Sequence, residues 1–192
     1  NTTIDDPSAH FQTTLWTGTA QAMTITNLGN SDLQPDLVWF KRRDSANSDH
    51  RIQDSTRGVT KYLTPDQDVA DATYSGYITS FNSDGFSIAV GDGSSNYGAG
   101  GGGAYVSWNW KMNGGTKVTV SASGTQRAGT YQANATAGQS IITFTGNNTD
   151  GATVAHGLGK KPHFIIIKRR DASNTDWRVW HHRLWQDGTA RQ

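Results

Sequence analysis

Because the chain contains no cysteine and no glutamate, aspartate and histidine are the side chains to consider first for acid-base catalysis and for binding a metal ion. Glycoside hydrolysis is the first reaction to consider, and it uses two carboxyl groups on either side of the scissile bond. No two aspartates stand at alternate positions of an apolar strand, and Asp66 and Asp68 follow Pro65 in a segment typical of a turn. We therefore expect the protein not to be an enzyme.

Calcium is the metal ion that the sequence favours most, although we expect no resident cofactor. Turns that offer oxygen ligands lie at Asp84-Gly85, Asp92-Gly93 and residues 147–151. Oxygen ligands suit a hard cation, but none of these turns has the spacing of a defined calcium loop, and such pairs are common in ordinary turns. His181 and His182 are neighbours, so in a strand they point to opposite faces and cannot share a zinc ion.

A glycine-rich stretch at residues 98–103 has the spacing of the dinucleotide-binding glycine motif. That motif needs a strand before it and the N-terminus of a helix after it, because the helix end holds the pyrophosphate. A strand pattern follows here instead. We therefore expect a hairpin loop and no nucleotide site.

The seven tryptophans suggest two different roles. Trp39, Trp108 and Trp110 lie in apolar strand patterns, so we expect them in the core. Further along the chain, tryptophan stands among arginine and histidine, which favours a protein interface. The candidate interface residues are Trp177, Trp180, Arg183 and Trp185. If the protein binds a glycan instead, the candidate contacts lie in the glycine-rich loop, at Asp92, Asn96 and Tyr97.

Charge and hydropathy argue against nucleic-acid and membrane partners. The 192 residues include 17 basic and 16 acidic side chains, for a net charge of +1, whereas a nucleic-acid surface needs a face dominated by basic groups. No apolar run approaches the roughly 20 residues that span a bilayer. The 22 glycines and the lack of glutamate favour strands and polar turns over helices.

An internal repeat organises the chain. Residues 35–51 align with residues 162–178 without a gap, and eight of the 17 positions are identical. The match extends upstream, where Thr17-Gly18 and Leu28-Gly29 correspond to Thr145-Gly146 and Leu158-Gly159. A repeat of this kind predicts that both copies begin to fold in the same way.

Both copies show the same order of strand patterns. We predict strands at 13–16, 22–26, 37–41 and 50–53 in the first copy, and at 140–144, 152–155, 164–168 and 177–181 in the second. The continuous apolar runs at 37–41 and 164–168 predict strands covered on both faces. The first copy alone continues into a hairpin over 77–90 and a half-buried strand over 104–111.

The predicted fold class is all-β: an antiparallel β-sandwich of the jelly-roll or lectin-like kind, followed by a partial second copy of the repeat. We divide the chain into an N-terminal arm (1–10), the first β-sandwich repeat (11–112), a Gly/Ser/Thr-rich linker (113–138) and the partial second repeat (139–192). The second copy has no counterpart of residues 77–110. Its open sheet edge is completed either by further sequence or by another subunit.

Several ordered motifs of the first copy carry a family resemblance. They are Trp16-Thr17-Gly18 and residues 35–39, 54–58, 80–86 and 105–111. Together they resemble an uncharacterised repeat domain of virion structural and tail-fibre-like proteins of tailed phages, notably cyanophages. The likeness covers residues 11–111 and resumes from 140 to about 184. It implies an extracellular location on the virion surface and a fold similar to the concanavalin-like jelly-roll sandwiches.

The expected function is therefore that of a non-enzymatic structural protein of the virion surface, in a tail, a fibre or a capsid decoration. Its expected partners are further copies of itself, as a homo-oligomer, and other virion proteins. The alternative is a glycan-binding module of a tail fibre that recognises a host-surface glycan.

Overall fold

The computed structural model describes residues 4–90 and 101–184. Within them the chain forms one 3-10 turn (Pro7–Ala9), fourteen strands and no α-helix, and no helix there is long and apolar enough to cross a membrane. The strands are β1 (Phe11–Thr17), β2 (Met23–Ile25), β3 (Leu37–Arg42), β4 (Arg51–Asp54), β5 (Lys61–Tyr62), β6 (Ala72–Thr73), β7 (Ile78–Asn82), β8 (Gly85–Ile88), β9 (Ala104–Trp110), β10 (Val118–Val120), β11 (Gly129–Asn134), β12 (Gln139–Phe144), β13 (Phe164–Ile167) and β14 (Arg178–His181). All strand pairs are antiparallel, which confirms the predicted all-β fold class.

Two sheets of the first copy enclose the hydrophobic core. One has the strand order β1-β9-β3-β4 and the other has the order β2-β8-β7. Val38 and Phe40 of β3 alternate with outward-facing residues, as one covered face of a strand requires. They pack on Ile25, Ile78 and Phe86 from the smaller sheet. The first copy is thus held together by apolar side chains between two antiparallel sheets.

The face of β9 that points into the core is the opposite of the one expected from the sequence. Tyr105, Ser107 and Asn109 are fully buried, whereas Trp108 and Trp110 lie on the outer face and are half-buried. The prediction that the strand tryptophans form the core is therefore wrong, and this includes Trp39, which packs edge-on against Trp108 with ring centroids 6.1 Å apart.

Hydrogen bonding explains how the amide group of Asn109, on the inner face of β9, can be buried. The Nδ2 atom of Asn109 donates to Oδ1 of Asn27 at 2.8 Å, and the hydroxyl of Thr14 donates to the same oxygen at 2.9 Å. A buried polar side chain is tolerated when such partners replace water. The interior of the first copy therefore combines a hydrogen-bonded polar network with a hydrophobic core.

Asp36, just before β3, fixes the chain that follows β9. It is fully buried. Its carboxylate accepts hydrogen bonds from Ser55 Oγ and from the backbone N–H groups of Met112, Gly114 and Gly115, at 2.6–2.9 Å. Four donors on one buried carboxylate make a strong, charge-assisted cluster. The turn after β9 is held by this one side chain.

The turn between β7 and β8 requires glycine at Gly85. The residue has a φ of +102°, and a Cβ atom there would lie 1.9 Å from the carbonyl oxygen of Ile25. The left-handed region is open to glycine without penalty, and the close approach of β2 leaves no room for a side chain. The Asn82–Gly85 hairpin turn expected from the sequence is present.

Residues 113–138, which we expected to be a linker, contain β10 and β11, and these form a three-stranded sheet with β12. Gln132 of β11 is fully buried. Its Nε2 donates to Ser55 Oγ at 2.8 Å and to Thr56 Oγ1 at 2.9 Å. The sheet is thus attached to the first sandwich. The strand expected at 152–155 is reduced to a single bridge between Thr153 and Gln126.

Candidate functional site

The hairpin formed by β13 and β14 exposes an unusual amount of apolar surface. Phe164 is 55% exposed, Ile166 47% and, opposite Ile166 on β14, Val179 56%. Because alternate residues share a face, these three side chains lie together on one face of the hairpin. Ile167 on the other face is 44% exposed. Exposed apolar patches are one kind of surface through which folded chains meet partners, which makes this face the candidate site.

The burial expected for this strand is therefore wrong, although the strand itself is present. The run at 164–168 predicts cover on both faces, and within the described ranges β13 has neither face fully covered. Leu37 and Trp39 of the first copy correspond to Phe164 and Ile166, and they are half-buried beside Trp110 and Trp108 of β9. Val38 and Phe40, which correspond to Ile165 and Ile167, are buried between the two sheets. The cover in the first copy is thus supplied by β9 beside the hairpin and by the smaller sheet across the core, whereas among the described residues β13 pairs with β14 alone.

The two hairpins nevertheless share one register. Leu37 pairs with Asp54 and Trp39 with Ile52 in the first, and Phe164 pairs with His181 and Ile166 with Val179 in the second. Each pair of the second hairpin is the first-hairpin pair displaced by 127 residues along the chain. Their backbones are therefore built alike, while their surroundings differ.

Equivalent lysines close the loops of the two hairpins. Lys41 donates from Nζ to the carbonyl oxygens of Arg42, at 2.9 Å, and Ser48. Lys168 donates to the carbonyl oxygen of Thr175, and to its hydroxyl at 3.0 Å. Three N–H donors on a flexible stem let one ammonium group satisfy several loop carbonyls.

Each of these loops also carries an exposed ion pair. Arg42 Nε lies 2.7 Å from Asp44 Oδ1, and Arg169 Nε lies 2.7 Å from Asp171 Oδ1. The hydrogen bond from the guanidinium group lowers the pKa of Asp44 in the first loop and the pKa of Asp171 in the second. Exposed pairs contribute little to stability, so these two pairs are a shared feature of the loops and not a source of their rigidity.

The hairpin is anchored to the first copy at its loop end. The indole N–H of Trp177 lies 3.3 Å from the carbonyl oxygen of Thr64 and 3.0 Å from that of Gln67. Arg170 pairs with Asp71 at 2.9 Å. Trp177 is therefore an internal anchor that leaves the apolar face of the hairpin exposed.

A shallow cavity of about 250 Å³ lies at the same junction. Three carboxylates and one indole face it, together with a proline and an amide. The lining residues are Pro65, Asp66, Gln67, Asp68, Asp176 and Trp177. An aromatic ring beside hydrogen-bond acceptors is a composition suited to a sugar, since the ring covers apolar C–H groups and the carboxylates accept from hydroxyls.

The other predicted interface residues are placed as follows. Trp180 lies in β14 and is half-buried, and Arg183 follows β14, where its backbone N–H donates to His181 Nδ1 at 3.3 Å. Trp185 lies outside the described residues, as do the candidate glycan contacts Asp92, Asn96 and Tyr97. Of the predicted residues, the structure thus brings Trp177 and Trp180 together on one hairpin.

The candidate calcium turns have ordinary turn contacts. Asp84 Oδ1 accepts from the backbone N–H of Leu33 at 3.1 Å, and Asp150 Oδ1 accepts from Gly151 N at 2.9 Å. Asp92 is outside the described ranges. Within residues 4–90 and 101–184, no three Asp or His side chains are grouped closely enough to hold a metal ion.

Comparison with known proteins identifies a family but no relative of known activity. No curated protein matches the chain, and no solved structure matches it. Residues 6–191 match the model of a family described as a domain of unknown function, DUF7483. Because this match extends over nearly the whole sequence, the chain belongs to the DUF7483 family.

Proposed function

We propose that the chain is a non-enzymatic structural module of the tailed-phage virion surface, and that it acts by oligomeric assembly through the β13–β14 hairpin. The observation that carries the proposal is the exposed apolar face formed by Phe164, Ile166 and Val179. The resemblance of the repeat motifs to phage virion and tail-fibre-like proteins supplies the location. A jelly-roll relationship of the first sandwich is part of the same proposal.

The physical reason for assembly is the cost of leaving such side chains in water. Burying a large aliphatic or aromatic side chain contributes about 1.5–3 kcal/mol relative to leaving it exposed. Three neighbouring side chains that are each about half exposed therefore offer a few kcal/mol to any apolar surface that covers them. A second copy of the chain, presenting the same face, would form a symmetric interface.

Sedimentation velocity tests the assembly. The wild-type chain should form a defined oligomer, and the double variant Phe164→Asp, Val179→Asp should be monomeric, because two buried carboxylates would oppose association. Leu28→Asp is the matched control, since Leu28 is 87% exposed and belongs to the segment between β2 and β3, and it should associate like the wild type. A monomeric wild-type chain, or an oligomer that survives the double variant, would refute the proposed interface.

The virion location has its own test. Antibodies raised against the purified chain should label intact phage particles in electron micrographs, at a tail, a fibre or the capsid surface. Labelling that appears only in disrupted particles or in infected-cell lysate would exclude a surface role.

A second candidate function, glycan binding, is favoured by the cavity beside Trp177. Its indole ring and the carboxylates of Asp66, Asp68 and Asp176 line the same surface. A glycan array probed with the full chain should then show specific binding, and Asp176→Asn should reduce it. Binding to no glycan, or binding unaffected by Asp176→Asn and Asp66→Asn, would exclude this site.

A further inference from the structure

We propose that the open edge of β13 receives one further antiparallel strand with the residue pattern of β9, supplied by a neighbouring polypeptide. The partner is thus an extended segment whose aromatic and polar residues alternate. The inference rests on the proposed assembly function, because it names the kind of segment that would bind the hairpin.

The hydrogen-bond pattern shows which backbone groups are available. The N–H of His182 donates to the carbonyl oxygen of His163 at 2.9 Å. In an antiparallel pair, hydrogen-bonded and non-hydrogen-bonded positions alternate. The bonds between β13 and β14 therefore belong to Ile165 and Ile167, and the backbone groups of Phe164 and Ile166 point to the other edge. No strand of the described residues pairs there.

The first copy shows what fits this edge. The equivalent bond joins Ser55 N to Asp36 O at 2.8 Å, so the β3–β4 hairpin has the same alternation. Its other edge is occupied by β9, with Leu37 opposite Trp110 and Trp39 opposite Trp108. A strand added in this register would set two aromatic residues opposite Phe164 and Ile166.

The added strand would both pair with the exposed backbone edge of β13 and extend the apolar face of the hairpin. Its backbone would pair with the N–H and C=O groups of Phe164 and Ile166 that no described strand uses. Such backbone pairing supplies affinity in strand addition, and alternate side chains supply specificity. Its aromatic residues would extend the apolar face that now exposes Phe164 and Ile166. In addition, β12, which corresponds to β1 in the repeat, is itself the last strand of its sheet within the described residues.

Because successive N–H groups of β9 point to opposite sides of the strand, two N-methylated peptides can serve as a matched probe and control. The N–H of Arg43 donates to Ala104 O at 2.7 Å, so by alternation the N–H of Trp108 points to β3. The N–H of Ser107 points to the opposite side, toward β1. In a peptide that copies residues 103–113, N-methylation at Trp108 therefore removes a donor facing β13, and N-methylation at Ser107 removes one facing away.

The experiment measures binding of these peptides to the full chain, with amide hydrogen exchange as the site-specific readout. The unmodified peptide should slow exchange at Phe164 and Ile166. The peptide methylated at Trp108 should bind at least about tenfold more weakly, since it loses a hydrogen bond and inserts a methyl group into the ladder. The peptide methylated at Ser107 should bind within about threefold of the unmodified one.

A variant of the chain gives a second, independent check. Ile166→Pro removes an N–H that β14 does not use, and proline is accepted in edge strands for that reason. It should abolish peptide binding while the amide of Ile165 stays protected. Ile166→Val keeps the N–H and should bind the peptide like the wild type.

Three outcomes would overturn the inference. The first is equal binding of the two methylated peptides, or no binding of the unmodified one. The second is slow exchange at Phe164 and Ile166 in the free chain, which would show that the chain closes the edge itself. The third is faster exchange in β9, which would show that the peptide displaces that strand from the first sandwich.

The outcomes also separate this inference from the proposed function. If the peptide fails to bind while Phe164→Asp, Val179→Asp still abolishes oligomers, then the strand site is wrong and assembly through the hairpin face stands. If the peptide binds a chain that is monomeric alone, then the strand site stands and self-assembly is refuted.

Discussion

Replacing the carboxylate of Asp36 with an amide is a direct test of the polar interior. The side chain is fully buried. Its Oδ1 accepts from Ser55 Oγ and Gly115 N, and its Oδ2 accepts from Met112 N and Gly114 N. Asp36→Asn keeps the shape of the side chain but exchanges one acceptor oxygen for an NH₂ group that can only donate.

The size of the effect follows from the least costly orientation of the amide. With the NH₂ group at the Oδ1 position, the hydroxyl of Ser55 can rotate and accept, but the N–H of Gly115 loses its acceptor. An unsatisfied buried donor costs about 1–3 kcal/mol, and the bonds that remain lose the assistance of the negative charge. We therefore expect Asp36→Asn to lower the free energy of unfolding by about 2–4 kcal/mol, against a typical total of about 5–15 kcal/mol.

Urea unfolding followed by tryptophan fluorescence measures this loss, and amide exchange at Met112, Gly114 and Gly115 locates it. Exchange at these amides should accelerate. The control is Asp66→Asn, because Asp66 is exposed and accepts from His50 N, and this variant should change stability by less than about 0.5 kcal/mol. If Asp36→Asn costs less than about 1 kcal/mol and leaves those amides protected, the cluster does not hold the turn as described.

Three further predictions use other parts of the fold. Gly85→Ala should lower the free energy of unfolding by about 3 kcal/mol or more, because the new Cβ meets a carbonyl oxygen. Gly58→Ala has the same φ of +102° but open space around its Cβ, so it should cost only about 1–2 kcal/mol of backbone strain. Equal losses of stability in urea unfolding would contradict the steric argument. Trp177→Phe removes the indole N–H that donates to two carbonyl oxygens of the first copy, so amide exchange in β13 and β14 should accelerate while unfolding of the first sandwich is unchanged. Exchange in the hairpin that matches the wild type would show that this anchor is dispensable. Burial lowers the pKa of His50, so the folded state binds its proton less readily than the unfolded state, and the free energy of unfolding should fall as the pH drops through the unfolded pKa of about 6.5. His50→Asn can still accept the hydrogen bond from Trp39, and it should flatten that part of the plot of stability against pH. An unchanged slope would refute the assignment to His50.

The strand content could be predicted from the sequence because its signals are local. The turn at Asn82–Gly85 has glycine where φ is positive, and the apolar runs at 37–41 and 164–168 have the length of strands. The internal repeat even predicts the shared hairpin, since equal residues at equal spacing favour the same pairing. These features depend on neighbours in the sequence and need no knowledge of the tertiary structure.

The buried face of β9 could not be predicted, because its cause lies elsewhere in the chain. Tryptophan is more apolar than asparagine, so a pattern of alternation places Trp108 inside and Asn109 outside. The structure reverses this because the amide of Asn109 finds hydrogen-bond partners in Asn27 and Thr14, which lie 82 and 95 positions away along the chain. Long-range partners of this kind leave no trace in local periodicity.

The candidate site was partly predictable for the same reason. Tryptophan among basic residues indicated the β14 region, and the structure places Trp177 and Trp180 there. The exposure of Phe164 and Ile166 was not predicted, because a continuous apolar run does not show which of its two faces a neighbouring element covers.

The lysine that closes the second hairpin loop has a consequence for the kinetics of association. Lys168 binds the oxygen atoms of Thr175 and also the carbonyl oxygen of Asp68, at 3.1 Å. A loop tied in this way holds the hairpin in one conformation before any partner arrives, so little conformational entropy remains to be lost on docking. Encounters with a partner would then be limited mainly by orientation, and Lys168→Met should slow association more than it weakens the folded chain.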